Sequence, residues 1–424
     1  MARPTLPASA GSSDLAARSS VKAPRGGTFA ALAVPFYGRL WMSGWLWNLT
    51  RWMGVFLGSY LVTQLTGSPI LVQLVGAAFF APMFFAGALG GVISDRFDRR
   101  RTILAQLLIL IPIAVGMSLI VIGGGVRVWM IYPFMLAIGL GGVIDMTSRR
   151  ALVWDFVGEE RVTNALALES LSMTGGNMLG SLVGGAVINF IGTGQAFMVI
   201  AVCYVGSFLF LLGVPVETRT ASRPARTSIL RDIFSGFRLA RKDRALVSIL
   251  GVTVLMNGFY FSFTPLVPVF AERLEVNALF TGLLASASGL GSMIGSFVIA
   301  ARSPHRRGLI YVGGSLIALA SLSIFAAAIW YPMAFLALVI AGVGSSGFGT
   351  MQSVLVMSTT GPEMRGRAMG LLSMAIGVLP FGMIALGLVA QQAGAPAAVL
   401  VSVAVGLSAM LLWNARWPQA RRLT

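Results

Sequence analysis

Twelve apolar stretches, each long enough to cross a bilayer as a helix, constrain this chain more than any other feature. Cut at charged or turn-forming residues, they run 38–65, 70–93, 102–122, 128–148, 163–191 and 195–214, then 245–270, 278–300, 308–329, 332–356, 367–390 and 396–415. An α-helix rises ~1.5 Å per residue, so about 20 apolar residues match a hydrocarbon core of ~30 Å. A soluble fold would have to hide all of these runs from water. Composition argues against it: 56% of residues are hydrophobic and 11% charged, where a soluble domain carries about 25% charged residues. Lipid is the expected solvent. The 51 glycines suit helices that pack closely without water to drive them together.

The longest polar stretch lies midway. Pro215 to Arg244 separates the sixth run from the seventh and carries eight basic residues, among them Arg219, Arg238 and Lys242. The expected fold is an all-α membrane protein of twelve transmembrane helices in two six-helix bundles, residues 37–214 and 245–416, joined by a cytoplasmic basic linker over 215–244. Within the linker, Ser228–Ala240 reads as a short amphipathic helix on the membrane surface. Residues 1–36 and 417–424 are expected as cytoplasmic tails. The first is expected to be disordered, being rich in Ser, Ala, Gly and Pro and lacking the apolar core of a signal peptide. With both termini inside, inner segments hold 28 of the 31 Lys and Arg residues, and outer loops hold only Arg127 and Arg273. That asymmetry follows the positive-inside rule. A short internal repeat supports two halves: Gly158-Glu159-Glu160-Arg161 precedes Ala165 and Ser172-Met173, and Gly361-Pro362-Glu363-Met364-Arg365 precedes Ala368 and Ser373-Met374. Repeated halves are a mark of transporters that alternate access around a site between them.

Other readings of the chain fail on inventory. A net charge of +17 would suggest nucleic acid in a soluble protein, but here the basic residues sit in short clusters between apolar runs, so no nucleic-acid partner is expected. One cysteine, Cys203, and one histidine, His305, leave no disulfide framework, no His/Cys metal cluster and no histidine-based catalytic centre. No enzyme activity, cofactor or metal is expected. Neither Lys22 nor Lys242 belongs to a G-x-x-x-x-G-K-S/T phosphate loop, so ATP hydrolysis is excluded and an ion gradient remains, with protons leading.

Between the second and third runs stands Gly91-Val92-Ile93-Ser94-Asp95-Arg96-Phe97-Asp98-Arg99-Arg100-Arg101. It resembles the loop 2–3 signature of the major facilitator superfamily, G-x-x-x-D-R-x-G-R-R/K, with Asp98 where the second glycine usually stands. The D-R-x-D-R-R form, the Leu65–Pro69 turn and the Pro362–Ala368 loop resemble a branch of multidrug, macrolide and siderophore exporters. The resemblance implies that Gly91, Asp95, Arg96, Arg99 and Arg100 latch the two halves in the outward-facing state. The corresponding loop of the second half has Arg302, Arg306 and Arg307 but Ala301 in place of an acid, so the latch reads as one-sided. The fifth run carries Gly176, Gly180, Gly184 and Gly185, similar to the antiporter signature G-x-x-x-G-P-x-x-G-G with Ser181 for proline. The resemblance places that stripe at the interface between the halves; an ordinary small-residue packing face is the alternative.

Charges inside the runs are costly and mark function by default. Arg51 lies 12 residues after Arg39, ~18 Å deep, and needs a partner: Glu169, a backbone carbonyl or an anionic substrate group. Glu169 divides between a pair with Arg51 and a proton site, and the two are expected to exchange partners as protons bind and leave. Asp145 reads first as an i,i+4 partner of Arg149. Asn48, Trp52, Asn257, Tyr260 and Gln352 are candidate cavity residues, forming an aromatic and mildly polar wall that suits an amphipathic organic molecule; lipid-facing packing is the alternative for the aromatics. The expected function is secondary active transport, a proton-coupled export of a drug- or siderophore-class molecule by a monomer in the bacterial inner membrane. An importer or a non-transporting receptor on the same fold would share these features.

Overall fold

In lipid a chain must satisfy its backbone within itself, and helices do so segment by segment. The structure, a computed structural model, describes residues 30–84, 98–215, 243–302, 305–361 and 364–423. After a 3-10 turn, Ala30–Ala33, come α1 (Tyr37–Thr66), α2 (Pro69–Phe84), α3 (Arg99–Ile122), α4 (Val128–Gly158), α5 (Asn164–Phe190) and α6 (Thr193–Leu212). Then follow α7 (Arg244–Arg273), α8 (Ala278–Arg302), α9 (Arg307–Ala326), α10 (Tyr331–Thr359), α11 (Arg365–Ile376 continuing as Leu379–Ala393) and α12 (Ala395–Arg416). Among the described residues ten helices, α3 to α12, are long and apolar enough to cross a membrane. Ahead of them, α1 has 30 residues and α2 has 16. The segments holding Gly91, Asp95 and Arg96, the linker helix Ser228–Ala240 and the start of the N-terminal tail lie outside the described residues.

Helix bounds follow the apolar runs closely, with one instructive exception. The fourth apolar run ends at residue 148, but α4 continues to Gly158, where the chain turns with φ 69° and ψ 176°. The two arginines that suggested a loop, Arg149 and Arg150, are helical. Arg149 folds back on Asp145 within the helix, which neutralises the charge that marked the break. In the second half, α7 is irregular at its centre. A π turn at Met256–Tyr260 leads into a 3-10 segment, Phe261–Leu266, before the α-helix resumes at Val267. Pro265 lacks the N–H of a regular helix, and the departure seats its ring against Gly76 of α2, where an added Cβ would lie 2.5 Å away.

Two separate cores result, one from residues of α1 to α6 and one from residues of α7 to α12. A small third cluster, Ala77 with Leu379 and Met383, joins α2 to α11. Arg39, Arg99, Arg149, Arg244, Arg302 and Arg365 lie towards one end of the helices, and Arg127 and Arg273 at the other. At the sparsely charged end the halves meet closely. Ser68 Oγ hydrogen-bonds Gln391 Oε1 at 2.8 Å, and Gln73 Nε2 donates to the Ser262 carbonyl at 2.9 Å. Gly185 of α5 faces Gly282 of α8 so closely that a Cβ on either would lie 2.8 Å from the other's Cα. Further along, Gly289 of α8 abuts Met178 of α5, and Gly377 of α11 abuts Phe84. These approaches all lie within about 24 Å of the sparsely charged end at 1.5 Å per residue. The α5 face that meets α8 through Gly185, Ser181 and Met178 continues towards the basic end as Thr174, Ser170 and Ala167, and there Ser170 and Ala167 are exposed.

Candidate functional site

Close packing of α5 on α1 builds the site. A Cβ at Gly176 would lie 2.8 Å from the backbone of Asn48, one at Gly180 2.7 Å from the Leu49 carbonyl, and one at Gly184 2.9 Å from the Phe56 ring. The stripe therefore packs on α1 of its own half, and Gly185 alone among the four reaches across to α8. Helical rotation explains this correction to the interface reading: positions i, i+4 and i+8 share a face, and i+9 lies on the next one. With α5 pressed on α1, the Tyr37 hydroxyl donates to the Ala165 carbonyl at 3.0 Å and Trp41 Nε1 to the Leu168 carbonyl at 2.9 Å. Asn48 Nδ2 donates to the Gly44 carbonyl at 3.0 Å and to Ser172 Oγ at 3.1 Å.

Into this contact α4 delivers an ion pair. Arg149 Nη2 lies 2.6 Å from Asp145 Oδ1, and Nε donates to both carboxylate oxygens at 3.1 and 3.0 Å. Both residues are buried. Arg149 Nη1 also donates to the Leu40 carbonyl at 3.0 Å and reaches Ser43 Oγ at 3.4 Å. Gly44 makes room: a Cβ there would lie 3.1 Å from Arg149 Cδ. Glu169 and Arg149 line one small cavity together with Tyr37, Asn48 and Ser172. Among the described residues Glu169 forms no ion pair within 4.0 Å.

Arg51 takes a different course from the one expected. Its guanidinium carbon lies 5.5 Å from the Trp52 ring centroid and 5.4 Å from that of Phe79. It lines a second small cleft together with Phe80, Met83, Gly142 and Met146. Arg51 and Glu169 thus face different cavities and do not pair. The guanidinium turns to α2 and α4, whereas Glu169 looks onto the Asp145–Arg149 pair from α5. Sequence reasoning missed Phe79, Ser172 and Ser43, uncharged residues with no signal that sets them apart from other positions of their helices.

The described part of the loop 2–3 signature is bound within the first half. Asp98, the departure from the usual glycine, caps α3 by accepting from Arg101 N at 2.7 Å. Arg99 pairs with Asp155 of α4. Arg100 donates to the carbonyls of Leu211 and Leu212 at 3.1 and 2.9 Å, at the negative C-terminal end of α6. In the second half, Asn257, Tyr260 and Gln352 are all buried in this conformation. Gln352 Nε2 donates to Thr253 Oγ1 at 3.1 Å, Thr253 shares a 2.9 Å hydrogen bond with Tyr311, and Asn257 Nδ2 donates to the Thr253 carbonyl at 2.9 Å. Tyr260 packs edge-on to Phe261 at 4.8 Å, as a core residue. These polar groups bond to one another around Thr253 in this conformation.

Ten membrane-length helices among the described residues, in two cores that pack closely against each other, describe an integral membrane protein. Residues 40–380 match the model of the Major Facilitator Superfamily, and the chain belongs to that family. Its members are transporters, not enzymes. Relatives include the multidrug efflux pump Tap of Mycolicibacterium fortuitum, 27% identical over 372 residues that cover 83% of this chain and 88% of that protein. The enterobactin exporter EntS of Escherichia coli O1:K1 / APEC is 26% identical over 314 residues, 71% of each chain. Among solved structures, a bacterial homologue of the lysosomal transporter Spinster, inward-facing and unoccupied, superimposes with a TM-score of 0.71 at 16% identity, covering 91% of this chain and 98% of that one. A peptide transporter bound to alafosfalin gives 0.75 at 13% identity over 98% and 100%. At such identities the structural likeness speaks for the fold.

Proposed function

We propose that this chain is a proton-coupled exporter of small amphipathic organic molecules that works by alternating access, with twelve transmembrane helices in two six-helix bundles and its basic end in the cytoplasm. The observation that carries the reading is Glu169, a carboxylate within a membrane helix that shares a cavity with a buried arginine already engaged by another acid. When protonated, Glu169 is neutral and leaves Arg149 to Asp145. When ionised, it competes for the same guanidinium in a medium of low dielectric, where such attraction is strong. The competition replaces the Arg51–Glu169 exchange expected from the sequence. Because α5 carries both Glu169 and the tight contact of Gly185 with α8, a shift at one is felt at the other. Arg99 and Arg100 of the loop 2–3 signature are held within the first half in this conformation, which suits a state in which the latch between the halves is released. The names of the exporter and efflux-pump relatives support the outward direction.

The test begins with a screen of fluorescent amphipathic dyes in proteoliposomes of known orientation under an imposed pH gradient. For a dye that is moved, Glu169→Gln is expected to lower gradient-driven accumulation by about tenfold or more, the effect of ~1.4 kcal/mol, while downhill exchange persists. Full accumulation in the variant would remove Glu169 from coupling. Movement only towards the basic side would make the chain an importer.

A further inference from the structure

Residues 417–424 read as a tail from the sequence, yet the chain folds back after α12 and lies across the starts of α7 and α9. Ser248 of α7 holds it twice: its Oγ donates to the Trp417 carbonyl at 2.6 Å and accepts from Ala420 N at 3.1 Å. Gly308 of α9 holds its end, the backbone N–H donating to the Leu423 carbonyl at 2.9 Å. Ala420 is fully buried, and a Cβ at Gly308 would lie 1.8 Å from its carbonyl oxygen, so glycine alone admits the segment there.

This seating has an electrostatic cost. It brings Arg421 and Arg422 alongside Arg306 and Arg307, all four exposed, and like charges held together repel. Among the described residues no carboxylate lies within 4.0 Å of any of them. Asp243, the acid before α7, is engaged in capping that helix through the N–H groups of Ala245 and Leu246. The packing thus gathers four guanidinium groups, each a donor fork that matches phosphate, without a counter-charge. Their surroundings say which anion fits. Arg416 lies over the Trp417 ring at 5.0 Å, and Trp417 stands beside Trp413 with 6.1 Å between centroids. Indoles gather at the depth where membrane meets water. Just further in, Leu412 of α12 and Leu309 of α9 are exposed at 71% and 51%. A dissolved anion would meet the arginines and leave these leucines bare. A phospholipid covers both, with phosphate on the guanidinium groups and acyl chains on the leucines.

We propose that the docked C-terminal segment and the start of α9 together bind the headgroup of an anionic phospholipid, which fastens the segment to the second half. The site lies apart from Glu169 and does not rest on the coupling reading.

Hydrogen–deuterium exchange of the full chain in nanodiscs reads the segment directly. Amides of residues 417–423 are expected to exchange about fivefold or more slowly in phosphatidylglycerol than in phosphatidylcholine of the same acyl chains, the scale of one arginine at an anionic surface. Arg421→Gln with Arg422→Gln removes the repulsion and the headgroup contacts together, so exchange is expected to be alike in the two lipids. Equal exchange in both lipids for the unaltered chain overturns the site, whether or not the variant folds. A lipid difference that persists undiminished in the variant removes Arg421 and Arg422 from it. If inorganic phosphate added to phosphatidylcholine nanodiscs protects the segment as well as phosphatidylglycerol does, the anion is a dissolved one and the lipid assignment falls. Residues 99–101 serve as reference, since Arg99 and Arg100 are already engaged within the first half. Equal slowing there would reduce the effect to general surface potential and overturn the site.

Discussion

Replacing Asp145 with Asn is expected to destabilise the first half by about 3–5 kcal/mol, the cost of leaving a buried cation without its counter-charge. The geometry gives the reason. Arg149 makes three of its contacts to the Asp145 carboxylate and its remaining ones to the uncharged Leu40 carbonyl and Ser43 hydroxyl, and Glu169, protonated and neutral beside it, forms no ion pair that would offset the loss. Asparagine keeps the volume and removes the charge. The yield of folded protein in the membrane fraction and the midpoint of thermal unfolding in detergent would read the loss. Removing both charges, with Asp145→Asn and Arg149→Gln together, is expected to recover more than half of it, because a neutral pair leaves no charge stranded. A double variant as unstable as the sum of the singles would mean that the two residues act independently, and the ion pair would not explain the burial.

The second large effect is expected at the seam. Gly282→Val places three carbon atoms where α8 touches the backbone of α5: its Cβ alone would lie 2.5 Å from the Ser181 carbonyl oxygen and 2.8 Å from Gly185 Cα. Neither neighbour is a flexible side chain that can swing away, so the helices must part. Overpacking of this kind costs about 1–3 kcal/mol. Beyond stability, the strain falls on the sparsely charged end of the seam, and so favours whichever conformation separates α5 from α8 there. Greater accessibility of a cysteine placed at Gln391, next to the Ser68 contact, would report that shift through maleimide labelling. Gly313→Val serves as control, since a Cβ there meets nothing within 4 Å. An unfolding midpoint and labelling rate equal to the control's would show that the seam yields without cost.

Much of the site was written locally. The i,i+4 spacing of Asp145 and Arg149 predicts their pairing, and the structure forms it in one turn of α4. The depth of Arg51 and Glu169 follows from counting residues along a helix. What lies opposite each face does not follow from spacing. For Arg51 the spacing leaves Glu169, a backbone carbonyl and an anionic substrate group open, and the structure sets it against Trp52 and Phe79. Gly176, Gly180 and Gly184 form an ordinary packing face against α1, and Gly185 alone meets α8. Asn257 and Gln352 bond around Thr253 in this conformation. In each case a spacing names a face of a helix, but the neighbour of that face depends on how far the helix is rotated and displaced against others.

That division has a physical basis. Hydropathy and charge act residue by residue on the solvent around them, so a single chain read from end to end discloses lipid as its medium, the alternation of its helix directions and the end where its arginines gather. The family likewise shows in contiguous motifs. Partners between helices arise from packing in three dimensions, where lipid is as apolar as the side chains and small residues decide which backbones approach. Gly44 admits Arg149, Gly185 admits α8, and Pro265 settles on Gly76. These contacts place Glu169 beside a bound arginine and leave Arg51 with none of the acids.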